Sequence, residues 1–89
     1  MAARLGCKTA IIGKIGYDGD GQKYKKHFEE EGINTDCLEM AGEYCGIALI
    51  LVNSADGSNQ IVINNNANKF LSIDDCAKAK FILDQSKVI

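Results

Sequence analysis

The stretch Ile11 to Gly21 reads IIGKIGYDGDG: apolar, β-branched residues that break into a loop carrying four glycines and two aspartates. Upstream, Lys8 to Ile15 includes Thr9, Ala10, Ile11, Ile12 and Ile15 without helical spacing, the pattern of a buried strand. Downstream, Gln22 to Glu31 reads as a helix, with Asp18 or Asp20 as its N-cap and Gly32 as its stop. Strand, glycine loop and helix in succession begin an α/β unit, so this stretch decides the fold class.

Glycines between a strand and a helix suggest a phosphate cradle, but the spacing argues otherwise. A dinucleotide loop is G-x-G-x-x-G, whereas Gly16, Gly19 and Gly21 have those intervals reversed. A Walker loop ends in Lys-Ser or Lys-Thr, and neither follows these glycines. The reading favoured here is a tight connection in which an aspartate caps the helix and the glycines relieve crowding.

The rest of the chain continues the α/β order. Ala2 to Leu5 followed by Gly6 resembles the end of a helix with its glycine cap. In the central helix Tyr24 and Phe28, extended by Ile33, form a thin apolar stripe, and Glu29 to Glu31 oppose the helix dipole. Those glutamates are read as a solvated face rather than a cation site. Asp36 to Met40 is a short strand. Gly46 to Asn53 (GIALILVN) and Asn59 to Asn64 (NQIVIN) form a hairpin around Asp56-Gly57. On its first strand Gly46, Ala48, Ile50 and Val52 point one way and Ile47, Leu49 and Leu51 the other. Both faces are apolar, so one is expected to meet a ligand, a second chain or a further part of the protein. Ser72 with Asp75 opens a last helix, expected to run to about Gln85 with Ile73, Cys76, Ala77, Ile82 and Leu83 available for burial. Lys87 to Ile89 resembles the start of another strand. The expected class is therefore α/β, a fragment of a doubly wound sheet with an inserted hairpin. Residues 1–35 belong to the core, 36–64 to the hairpin segment and 65–89 to the core again.

Composition removes several functions. The 89 residues are 46% hydrophobic with a net charge of −2, which provides no basic field for nucleic acid or an anionic membrane. No apolar run approaches the roughly 20 residues of a membrane span, and MAARLGCKTAII lacks a signal-peptide plan. A cytoplasmic protein is expected. The four cysteines, Cys7, Cys37, Cys45 and Cys76, lie 30, 8 and 31 positions apart, without metal-ligand spacing and read as reduced thiols. The sole histidine, His27, sits on a polar helix, so no metal site is expected. Neither G-x-S-x-G nor H-E-x-x-H occurs. The run Asn64-Asn65-Asn66-Ala67-Asn68 can hydrogen-bond a polyhydroxylated ligand or serve turn chemistry, with turn chemistry favoured on propensity.

Taken together, the segments resemble the ribokinase family of sugar kinases. AARLG, then GKIGYDGDG, then a helix and GINTD are similar to the family's A-A-R-L-G, G-K-x-G-x-D-x-x-G and G-I-x-T. CGIALILVN resembles its T-G-V-A-x-I-x-V-N strand, and INNNANKFLS its I-x-x-G-A-N-x-x-L-S segment. The resemblance covers essentially the whole chain. Cys45 stands where the family has Thr, Asn66 where it has the Gly of G-A-N, and the hairpin turn is one residue longer.

The resemblance implies ATP-dependent phosphoryl transfer to the primary hydroxyl of D-ribose, with fructose, another sugar or a nucleoside as alternatives, and with Mg2+ and K+ as ions of the full-length enzyme. It implies that the hairpin is a β-lid which covers the sugar and forms a homodimer contact, with Ala48, Ile50 and Ile63 touching the sugar. The family's preceding G-G-K-G-x-N segment and later G-A-G-D segment, which hold the sugar and supply the catalytic base, do not occur in these residues. No catalytic residue is therefore assigned here, no cofactor is expected on these residues alone, and the 89-residue chain by itself is expected to be inactive. A non-catalytic module pairing through its hairpin, and a sugar- or nucleoside-binding fragment, stand as alternatives.

Overall fold

This computed structural model describes residues 1–89. Strand β1 (Ala10–Ile15) pairs in parallel with β2 (Asn34–Met40), and helix α1 (Gly19–Glu30) makes the crossover between them. Parallel pairing requires such a crossover, and the glycine loop supplies its entry. Strands β3 (Ile47–Val52) and β4 (Asn59–Asn64) form a separate antiparallel hairpin. The chain then passes through a 3-10 turn at Asn66–Phe70 into helices α2 (Ile73–Lys78) and α3 (Lys80–Leu83). No helix is long and apolar enough to cross a membrane.

The core is small. Ile15, Leu38 and Cys45 form its buried centre, with Ile11, Phe28 and Met40 packed around them. Phe28 is thus the working residue of the thin stripe on α1, while Tyr24 stays exposed and stacks on it at 6.4 Å. The accessible surface of 6927 Å² exceeds the about 5,100 Å² of a compact chain of this mass. The radius of gyration, 15.5 Å, likewise exceeds the about 12 Å of a compact 89-residue domain. Every residue of β3 and β4 is exposed, so the hairpin projects from the core.

Several elements differ from the sequence reading. Helix α1 starts three residues early, at Gly19, because Asp18 caps it directly. Strand β2 starts at Asn34 and lies in the core sheet beside β1, although it overlaps the segment 36–64. The N-terminal scrap is a 3-10 turn, Ala3–Leu5, closed as expected by Gly6 at φ 87°. The last helix is broken at Ala79, whose ψ of 3° leaves the helical range, and it ends at Leu83. The break turns fully buried Ala79 inward while Ile73, Cys76 and Ala77 face solvent; Ile82 and Leu83 are half-buried. Lys87 to Ile89 forms no strand.

Candidate lid face and its root

Antiparallel register places side chains directly across the hairpin on one face. Ala48 stands opposite Ile63 and Ile50 opposite Ile61. The three residues singled out from sequence, Ala48, Ile50 and Ile63, are therefore neighbours on one exposed apolar face; Ile50 is 55% and Ile63 66% exposed. The other face carries Ile47, Leu49, Leu51 and Val62, equally open.

The root of the hairpin meets the glycine loop. Asp18 uses both carboxylate oxygens: Oδ1 accepts from the Gly21 N–H at 2.8 Å and Oδ2 from the Cys45 N–H at 3.0 Å. The Cys45 and Gly21 amides hold its pKa below the ordinary carboxylate value. Cys45, 5% exposed, also accepts the Gly16 N–H on its sulfur at 3.2 Å and the Asn66 Nδ2–H on its carbonyl at 3.0 Å. Burial pushes its thiol pKa up, so it stays protonated and acts as packing and acceptor. Across the root, the Ala67 N–H donates to the Tyr44 carbonyl at 3.0 Å.

This geometry answers the glycine question. A Cβ at Gly16 would overlap the Tyr44–Cys45 peptide, and one at Gly21 would overlap the Gly16 carbonyl. The loop is drawn against the hairpin root, and the mouth of α1 is already filled by a carboxylate. A phosphate there would meet Asp18 instead of free amides. Asn66 adopts a left-handed φ of 39°, a conformation that asparagine tolerates better than most residues. Its side chain reaches across the root to the Cys45 carbonyl, whereas the Asn64 side chain serves the turn, its Oδ1 accepting from the Asn66 N–H at 3.3 Å. The two departures from the family pattern, Cys45 and Asn66, are thus in direct contact.

A second anchor was not legible in the sequence. Lys14 on β1 bonds Asp75 on α2 at 2.7 Å and also pairs with Glu39 on β2, and only 9% of the Lys14 side chain is exposed. Asp75 closes the expected capping box, accepting from the Ser72 N–H at 2.8 Å. The Lys14 ammonium, with Ser72, brings the Asp75 pKa down to about 2, and Asp75 with Glu39 raises that of Lys14. Asp75 read only as a local cap because its partner lies 61 positions away. From the N-terminal 3-10 turn, Arg4 grips Glu31 at the C-cap of α1 with two bonds of 2.6 and 2.7 Å, which relieves part of the acidic run there.

No group of three or more His, Cys, Asp or Glu side chains is placed to hold a metal ion.

Comparison with known proteins is consistent with this arrangement. The pattern of the pfkB family carbohydrate kinases matches residues 1–88. Mouse (Mus musculus) ribokinase is 38% identical over all of this chain, and Haemophilus influenzae ribokinase is 42% identical over 80% of it. A deoxyribokinase of Salmonella typhi is 37% identical over 99%. The chain spans 28%, 23% and 29% of those three proteins respectively. Among solved structures, ribokinase from Giardia lamblia superposes with a TM-score of 0.72 at 28% identity, over 85% of this chain and 23% of that one. Fold, order of motifs and family match agree: the chain belongs to the pfkB family of carbohydrate kinases.

Proposed function

We propose that this chain serves an ATP-dependent sugar kinase of the cytoplasm that phosphorylates the primary hydroxyl of D-ribose, and that its own part in the reaction is the lid. The observation that carries the reading is the register that gathers Ala48, Ile50 and Ile63 on one exposed apolar face of a projecting hairpin. Phosphoryl transfer to a sugar competes with hydrolysis by water, so an apolar cover over the acceptor hydroxyl serves the chemistry directly. ATP is the phosphoryl donor when bound. The residues of this chain orient the sugar's apolar surface and exclude solvent; they supply no base and no phosphate contact. Similarity to ribokinases of mouse and Haemophilus supports ribose over other sugars, while the deoxyribokinase match keeps deoxyribose as the nearest competitor.

The second apolar face, Ile47, Leu49, Leu51 and Val62, is then left for a second copy of the protein, and we propose a homodimer joined through the lid strands. The test is ADP release by the full-length gene product with ribose, deoxyribose, fructose and adenosine in turn. Ribose is expected to give the highest kcat/KM. Release that is independent of every acceptor would overturn the reading. The 89 residues alone are expected to release no ADP in response to ribose.

A further inference from the structure

The hairpin touches the core through a root in which one residue is bonded on all sides. Cys45 gives its N–H to Asp18 on the cap of α1, receives the Gly16 N–H on its sulfur, and receives the Asn66 amide on its carbonyl. The entering strand is thereby tied at buried Cys45 to the β1–α1 loop and to the turn that follows the returning strand, beside the Ala67–Tyr44 bond. Asp18 cannot be replaced by its amide here. Each of its oxygens accepts a different backbone N–H, so an asparagine would set its own NH2 against one of them.

We propose that Asp18 and Cys45 are positioning residues that set the inclination of the hairpin and hold the face of Ala48, Ile50 and Ile63 over the sugar. The proposal rests on the lid reading above. Neither residue touches the sugar. Loosening the root spreads the hairpin over more orientations and lowers the fraction poised to cover the substrate. Apparent affinity falls by that fraction, whereas the covered complex reacts as before.

The experiment is ribose saturation of the full-length gene product at fixed, saturating ATP. Asp18→Asn is expected to raise KM for ribose roughly ten-fold with kcat within about two-fold, the scale of one lost charge-assisted hydrogen bond. Asp75→Asn, which breaks the Lys14 anchor on α2 and leaves the bonds of the root intact, is expected to lower thermal stability while leaving KM in place. Cys45→Thr retains an acceptor for the Gly16 N–H and is expected to keep the parental KM. Cys45→Val has the same shape without the acceptor and is expected to raise KM several-fold. This pair decides the matter if Asp18→Asn fails to accumulate. Loss of stability in Asp18→Asn and Cys45→Val with KM unmoved would overturn the proposal. If the parent phosphorylates no sugar, the functional reading fails separately, and hydrogen exchange decides the root. Asp18→Asn must then deprotect the Cys45 and Ala67 amides while the β3–β4 ladder stays protected. No change at the root, or melting of the ladder with it, would overturn it.

Discussion

Substituting the loop glycines by alanine separates a packing role from a ligand role. At Gly16 the new Cβ would overlap the Tyr44 carbonyl carbon and the Cys45 nitrogen, and even the third-nearest atom, Tyr44 Cα, would lie at 2.6 Å. Carbon atoms rest at about 3.5 Å, so the hairpin root must retreat by roughly 1 Å. The obstacle is backbone, which cannot swing aside as a side chain can, and overpacking of this kind costs about 3 kcal/mol. At Gly21 the obstacle is the Gly16 carbonyl, but alanine regains about 1 kcal/mol of helix propensity, leaving a net cost of about 2 kcal/mol. At Gly19 nothing lies within 4 Å, so alanine in the first turn of α1 should stabilise by about 0.5 kcal/mol. Urea midpoints of the three variants of the full-length protein are expected in the order Gly19→Ala, parent, Gly21→Ala, Gly16→Ala, with the KM for ATP unchanged in Gly19→Ala. A stable Gly16→Ala, or a Gly19→Ala that loses ATP, would refute the reasoning and return the loop to a phosphate role.

Other outcomes follow from the same geometry. Asp75 has its pKa lowered from 3.8 to about 2 on folding, so its contribution is complete above the unfolded value and is lost as pH falls from about 4 through 2. Acid unfolding curves of the parent and Asp75→Asn should therefore converge over that window and diverge above it. Asn66→Ala, forced to hold φ 39°, should lose about 1 kcal/mol relative to Asn66→Gly, read by thermal unfolding. Ile50→Asp should leave stability within about 0.5 kcal/mol, because the site is exposed, yet raise the KM for ribose at least roughly ten-fold. Leu49→Asp, on the opposite face, should instead shift the protein from dimer to monomer in sedimentation.

Much of this was written in local pattern. The strand and helix that open the parallel unit follow from a β-branched run, a glycine loop and a capped helix, and the hairpin from Asp56-Gly57 between two alternating runs, whereas β2 was grouped with the hairpin and only the fold places it beside β1. Which aspartate caps α1 was not decided locally. Asp18 prevails because its carboxylate also reaches Cys45, 27 positions on, whereas Asp20 faces only Lys23 at 3.7 Å. Alternation alone left both hairpin faces apolar and equivalent; the family resemblance singled out Ala48, Ile50 and Ile63, and the register sets Ala48 opposite Ile63. The root was hidden because Cys45 and Asn66 stand out only as separate departures from the family pattern, 21 positions apart, and only the fold brings them together. The last helix was misread because its apolar spacing carries no sign of the break at Ala79, and because burial went to Ala79 and Asp75 instead of Ile73 and Cys76.

The central claim is that one face of the hairpin covers the sugar. Its most direct test is thiol labelling of Ile50→Cys and Leu49→Cys in the full-length protein, with the modified peptides resolved by mass from those of the exposed Cys7 and Cys76. Saturating ribose is expected to slow labelling of Ile50→Cys strongly and to leave that of Leu49→Cys unchanged. Equal rates with and without ribose at position 50, or equal protection on both faces, would contradict it.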